Sequence, residues 1–447
     1  MEMSWKGGNT RAVIQDLFGI HTHTVMLAAT GMHVGKTTLS LGVFRGLQSK
    51  WGHGRVAYCK PLGQRYKDIL LPDGRAIKVD PDVETVRNYF KLDQFAWEHM
   101  SPVVFPRGYT REVIDGRIQT ADLLHKIKDA FTALATKSDF TLLEGSGHIG
   151  VGSIVNLNNA QVAGALGVDV VMIAPGGLGI SFDQLAMNKA LLEKHGAQLR
   201  GVILNKVEPA KHEMVKDYYS RVLRDLWDTP LLGCIPYQPA IEKPSISGYA
   251  KLLGAQFIAG EANRFRTFES VRLVLTDKDE VPAVPEQLCV THSSRCDLMQ
   301  HLVSNHATLH KSSHGVENLR GGLIVVGPDA PNAELVSQLD EYSIPTLWVR
   351  KDDMNIEGKN HVSHDGKDVP QYTSTFEIVK AMNEFTQKHV ADDTERVETT
   401  MDHIAKHIDF DGLCAATPMG QALQRKALSQ MSRLGGPRLK SSLPPGL

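Results

Sequence analysis

The chain has 447 residues, 42% hydrophobic and 22% charged, with Lys+Arg 49 against Asp+Glu 50. That length exceeds one ordinary core and predicts two or three domains. The formal charge of -1 shows no basic excess to advertise nucleic acid or an anionic membrane as partner, and no apolar run approaches the roughly 20 residues that span a bilayer.

Residues 1–22 lack a signal peptide's apolar core and cleavage site and read as an N-terminal extension. Apolar runs and helical patterns then alternate. HTVMLAAT is a strand, followed by a loop and a helix through LSLGVFRGLQSK. RVAYCK, DFTLLEG, VDVVMIAP, LRGVILNKV and PLLGCIP are further strands, separated by helices such as ADLLHKIKDAFTALAT and FDQLAMNKALLEKHG. Near-continuous Val/Ile/Leu strands alternating with helices predict an α/β fold whose mostly parallel sheet is covered on both faces. Ligands of such sheets bind beyond the carboxyl ends of the strands. Residues 23–245 are therefore read as one domain. Turn formers and the acidic, proline-bearing DKDEVPAVPEQ make 246–285 a connecting segment. QLCVTHSS, RGGLIVVGPDA and IPTLWVRKDD predict a smaller α/β domain over 286–412, and 413–447 reads as a tail, helical at first and then disordered. The five cysteines, Cys59, Cys234, Cys289, Cys296 and Cys414, form no CxxC pair, which points to reduced thiols in a cytoplasmic setting.

The most informative stretch is AATGMHVGKTTLS, residues 28–40. Gly35-Lys36-Thr37-Thr38 follows a strand and opens a helix, as a phosphate-binding loop requires. Consecutive backbone N–H groups there point into one concavity, and the helix dipole adds positive potential. Thr30 stands where the usual pattern has its first glycine, and Gly31 follows one position late.

With its flanks this stretch resembles the dethiobiotin synthetase-like branch of P-loop proteins, in which Ala29 takes the leading glycine's place and Thr30, Val34, Gly35, Lys36 and Thr37 match. The resemblance implies ATP and Mg²⁺ as cofactors. It implies a nucleotide-contacting set of Thr30, Gly31, His33, Val34, Gly35, Lys36, Thr37, Thr38, Asn205 and Lys206. Lys36 would contact phosphates and Thr37 the Mg²⁺. Lys60, in VAYCKPLGQ, would face phosphates or an anionic substrate, so Lys36 and Lys60 are the expected catalytic pair. Glu144, in LLEGSGHIGVGS, matches the branch's Mg²⁺-associated acid, and Asn205, in GVILNKV, its adenine-reading amide. Asp80 and Asp82, in KVDPDVETV, are weaker candidates for the metal, and Asp82 joins Thr37 and Glu144 in the expected metal set. An acidic pair on a surface loop is the ordinary alternative.

The longer match is to the N-terminal portion of long-form phosphate acetyltransferases, which joins this P-loop domain to a small DRTGG domain. SPVVFPRGYTREVIDG, EGSGHIGVGSIVNLNNAQVAGALG, GGLGISFDQLAMNKALLEKHG, PLLGCIPY and ESVRLVL carry the resemblance. The DRTGG motif itself is altered, to Val326-Gly327-Pro328 and Ser294-Arg295-Cys296-Asp297. The residues after 417 do not hold an acyl-transfer domain, so acetyl phosphate synthesis by this chain is not expected. A regulatory or assembly module is implied, with an acyl-metabolism enzyme as partner, a small carboxylate or metabolite as effector and a homo-oligomeric state. The alternative is an ATP-dependent ligase activating a small carboxylate. Met32, His33 and Gln64 depart from the diamine-binding pattern. His148, inside the glycine-rich loop, is a candidate proton shuttle or a plain turn histidine. His301, His306, His310 and His314 read as a solvated helix rather than a metal site.

Overall fold

The computed structural model describes residues 22–32, 34–274, 283–312, 319–350, 375–385, 387 and 391–417. Of the sequence expectations, His33, His314, nearly all of the N-terminal extension and the tail beyond 417 lie outside them.

The apolar runs of the first half form a six-stranded sheet. Its strands are β1 (His23–Ala29), β2 (Val56–Cys59), β3 (Phe140–His148), β4 (Val170–Pro175), β5 (Leu199–Val207) and β6 (Leu231–Pro236). They lie in the order β6-β5-β4-β1-β3-β2, all parallel. Helices α1 (Lys36–Trp51), α2 (Pro81–Phe90), α3 (Thr120–Ala135), α4 (Asn159–Leu166), α5 (Gly179–Lys194) and α6 (His212–Trp227) fill the crossovers. β1 is buried at every position, as a strand covered on both faces must be. β3 and β5 run further than their apolar cores, to His148 and Val207, so Glu144 and Asn205 sit within strands rather than just after them.

The second unit, Pro239–Lys388, is built on α7 (Ile246–Leu253), β7 (Gln256–Ala259), β8 (Ser270–Val274), β9 (Gln287–His292), α8 (Cys296–Ser312), β10 (Gly322–Gly327), α9 (Ala333–Glu341), β11 (Thr346–Arg350) and α10 (Thr375–Glu384). The sheet order is β7-β11-β10-β9-β8, with β7 antiparallel to β11 and the rest parallel. Alternation along the strands separates two apolar layers. Leu288, Val290, Ile324 and Val326 pack with α7 and α10, while Cys289, Leu323 and Val325 pack with α8 and α9.

Two expected boundaries change. The connecting segment 246–285 contributes α7, β7 and β8 to the second unit, because short apolar patches such as Val271 and Leu273 find a sheet to join. The second unit does not extend to 412, and the described residues 391–417 belong with the first. There α11 (Thr394–Ala405) and α12 (Phe410–Ala415) bury Val397, Met401, Ile404 and Leu413 in the first core. The glycines of α1 make room for them. A Cβ on Gly42 would collide with Ile404, and one on Gly46 with the Phe410 ring.

Candidate functional site

The loop after β1 is shaped by backbone geometry first. Gly35 caps α1 at φ 88°, a left-handed conformation that glycine adopts without a Cβ penalty. A Cβ there would also lie 2.5 Å from Asn205 Nδ2, so β5 closes directly over the loop. Asn205 Nδ2 donates to the Val34 carbonyl at 2.8 Å. Lys206, next in the chain, takes the left-handed region at φ 57°. Thr30 N donates to the Ile173 carbonyl at 2.9 Å, which ties the loop to β4. Thr30 is buried, and its hydroxyl has no hydrogen-bond partner among the described residues. Gly31 and Thr38 are half-buried on the same loop and first turn.

The charged groups converge behind this loop. Lys36 Nζ donates to the Gly147 carbonyl at 2.7 Å. Thr37 Oγ1 lies 3.0 Å from Glu144 Oε1 and 3.2 Å from Asp82 Oδ2, so its single hydroxyl proton is shared between two carboxylate acceptors. Lys60 Nζ pairs with Asp82, lies 3.1 Å from Asp80 Oδ1 and 3.7 Å from Glu144 Oε1. Asp80 and Asp82 are not on an exposed loop. They are 2% and 3% exposed, because Asp80 caps α2 by accepting from Asp82 N at 2.9 Å. Lys60 is 6% exposed, not a solvated surface lysine.

Electrostatics follow from this packing. Burial opposes the Lys60 charge, but Asp82, Glu144 and Asp80 outweigh it and hold the ammonium above the usual lysine range. Burial pushes the Asp80 carboxyl up, against the Lys60 charge that pulls it down. Among the described residues, no group of three His, Cys, Asp or Glu stands ready to hold a metal ion. At this site an ammonium stands among the carboxylates.

Three residues in the site carry no sequence signal of their own. Tyr58 is fully buried and donates to Glu144 Oε2 at 2.8 Å; burial and then the Glu144 charge raise its phenol well above the ordinary range. Asn159 donates to the Ser146 and His148 carbonyls at 2.7 and 2.8 Å and accepts from Ser146 N at 3.0 Å, fixing the loop whose Gly147 carbonyl receives Lys36. Ser101 Oγ accepts from Asp80 N at 3.1 Å. Each is an ordinary polar residue, and Tyr58 and Ser101 find their partners 86 and 21 residues away in the chain.

His148 is exposed and its Nδ1 accepts from Gly150 N at 3.2 Å, a turn contact. In the second unit, His301, His306 and His310 lie on α8, with His306 buried. No helix among the described residues is long and apolar enough to cross a membrane.

A family model described as an AAA domain matches residues 23–245. A phosphate acetyltransferase of Pseudomonas aeruginosa is 26% identical over 412 residues, which cover 88% of this chain and 51% of that one. The chain thus spans about half the length of the phosphate acetyltransferases it matches. An ATP-dependent dethiobiotin synthetase of Gloeothece citriformis is 34% identical over 220 residues, covering 48% of this chain and 88% of the synthetase. A solved structure of the CBS and DRTGG domains of the regulatory region of Clostridium perfringens pyrophosphatase covers 41% of this chain and 70% of its own, at 13% identity and a TM-score of 0.18, a likeness too slight to carry function. The left-handed Gly35 loop, the Lys36 and Thr37 contacts and the extended match to the synthetase agree: the chain belongs to the dethiobiotin synthetase-like P-loop family, with 23–245 as its family unit, and resembles phosphate acetyltransferase over most of its length.

Proposed function

We propose that the P-loop unit binds ATP with Mg²⁺ and that the chain serves as a regulatory or assembly module in acyl metabolism. The carrying observation is that Thr37 Oγ1, two residues after Gly35, lies within hydrogen-bond distance of both Asp82 and Glu144. A hydroxyl and two carboxylates are an oxygen-only donor set, which suits Mg²⁺ held partly through water and phosphate. Thr37, Asp82 and Glu144 would hold the ion, and its chemistry there is to neutralise charge on the phosphate oxygens.

The chain's own groups do the rest. The N–H groups after Gly35 face the phosphates at the positive end of α1. Lys36 exchanges the Gly147 carbonyl for phosphate oxygens. Thr30, with its buried hydroxyl unpartnered among the described residues, has a donor to offer a ligand. Asn205 buttresses Val34 as well as bordering the base site that the family resemblance assigns to it. The acyl-metabolism part rests on the 88% coverage against phosphate acetyltransferase, and a homo-oligomeric state and an enzyme partner belong to the same proposal.

A second reading, an ATP-dependent ligase, is favoured by Lys60 lying buried beside the Asp82 and Glu144 oxygens that Thr37 also contacts. A carboxylate oxygen of a small acid would take the γ-phosphoryl group from ATP, releasing ADP, and an amine would then displace phosphate from the acyl phosphate. Calorimetric titration of Mg-ATP onto wild type and Lys36→Ala tests the shared claim. Affinity should fall at least about tenfold on losing a charge-assisted phosphate contact, and equal binding would refute it. Phosphate release that depends on one added carboxylic acid would replace the regulatory reading with the ligase.

A further inference from the structure

Lys60 and Thr37 address the same two oxygens. Thr37 Oγ1 lies within hydrogen-bond distance of Asp82 Oδ2 and Glu144 Oε1, and Lys60 Nζ pairs with that Asp82 Oδ2 and lies 3.7 Å from that Glu144 Oε1. A protein cation is therefore lodged against the oxygens that the reading above gives to Mg²⁺. Its backbone is fixed, since Lys60 N donates to the Met100 carbonyl at 2.8 Å at the end of β2, and the side chain is the movable part. Asp80 gives that side chain a third contact at 3.1 Å, and Asp80 is itself pinned as the cap of α2.

We propose that Lys60 is a built-in cation latch on the metal site. Without a divalent ion its ammonium holds Asp82 and Glu144 together. When a divalent ion enters, Lys60 gives up those two carboxylates and keeps Asp80. Two cations cannot share the same pair of oxygens cheaply, because unit charges about 4 Å apart repel by roughly 4 kcal/mol at an effective dielectric of 20. A metal arriving alone must break the lysine's ion pairs for little return. A metal arriving with a triphosphate brings oxygens that receive both it and the displaced ammonium. The latch thus makes the site load metal and nucleotide together. This inference rests on the Mg-nucleotide reading.

Mn²⁺ binding without nucleotide, followed by electron paramagnetic resonance, tests it in wild type and Lys60→Met, whose folding is checked by circular dichroism. Lys60→Met should bind Mn²⁺ at least about tenfold more tightly, since a competing charge is gone. Because the variant leaves three carboxylates unbalanced, wild type supplies a second arm. Limited acetylation, read by mass spectrometry, should modify Lys60 several-fold faster with saturating Mn²⁺ than without. Equal Mn²⁺ affinity of wild type and folded Lys60→Met overturns the latch, and so does an acetylation rate indifferent to Mn²⁺. Mg-ATP binding by wild type is measured in parallel. Its absence would count against the nucleotide reading, while the Mn²⁺ arms judge the latch separately.

Discussion

Asn205 lies so close over Gly35 that a Cβ at position 35 would sit 2.5 Å from its Nδ2. Two constraints therefore meet at one glycine, a left-handed φ of 88° and a side chain overhead. Gly35→Ala should lose measurable ATP binding and destabilise the protein by roughly 1–3 kcal/mol, the usual strain of a non-glycine residue held in such a conformation. Adding Asn205→Ala removes the overhead contact but not the φ, so the double variant should regain only part of the loss. Urea denaturation of the two variants checks this, and full recovery would show that the clash alone governs.

Tyr58 supports the site from beneath. Its hydroxyl donates to Glu144 Oε2, on a carboxylate that is 0% exposed. Tyr58→Phe should cost about 1–3 kcal/mol, because it leaves a buried acceptor short of a donor. Urea denaturation at neutral pH measures it, and a loss indistinguishable from zero would mean that another donor replaces the phenol.

The docking of α11 and α12 on α1 inverts a helix rule. Gly→Ala inside a helix ordinarily stabilises by about 1 kcal/mol. At Gly46 the new methyl would meet the Phe410 ring, and such overpacking costs typically 1–3 kcal/mol. Gly46→Ala should thus destabilise and expose the chain after 390 to limited proteolysis. Pairing it with Phe410→Ala should relieve the clash. A Gly46→Ala protein more stable than wild type would disprove this packing argument.

Acid should loosen the same contact. His23 Nδ1 lies 2.7 Å from Thr417 Oγ1, and His403 Nε2 donates to the Pro236 carbonyl at 2.9 Å. Burial is the leading cause that lowers both histidines below their usual value; His407 and Lys406 add to it at His403. A lowered folded-state pKa means that the unfolded chain binds protons more readily. The stability from these neutral imidazoles is complete above about pH 6.5, the unfolded value, and is lost as pH falls through the folded values. Denaturation midpoints should drop between neutral and mildly acidic buffer, and His403→Gln should flatten the slope. An unchanged slope would exclude His403 as a source.

Much of the P-loop unit was legible along the chain. Val/Ile/Leu runs of strand length can only be buried on both faces, which fixes a parallel sheet, and a glycine-lysine-threonine turn between strand and helix fixes where phosphates would sit. Lys36, Thr37 and Gly35 are neighbours in sequence, so their grouping needed no fold. Thr37 and Glu144 stand 107 residues apart, and Lys60 and Asp80 stand 20 apart. Whether such groups meet, and whether a lysine lies among the carboxylates or in water, depends on strand order and on the cap of α2. The return of α11 and α12 to α1 is equally invisible in the sequence, because an amphipathic helix states that it buries a face without stating against what. Local pattern sets the elements; only the long-range closure of the chain brings distant charges into one low-dielectric place.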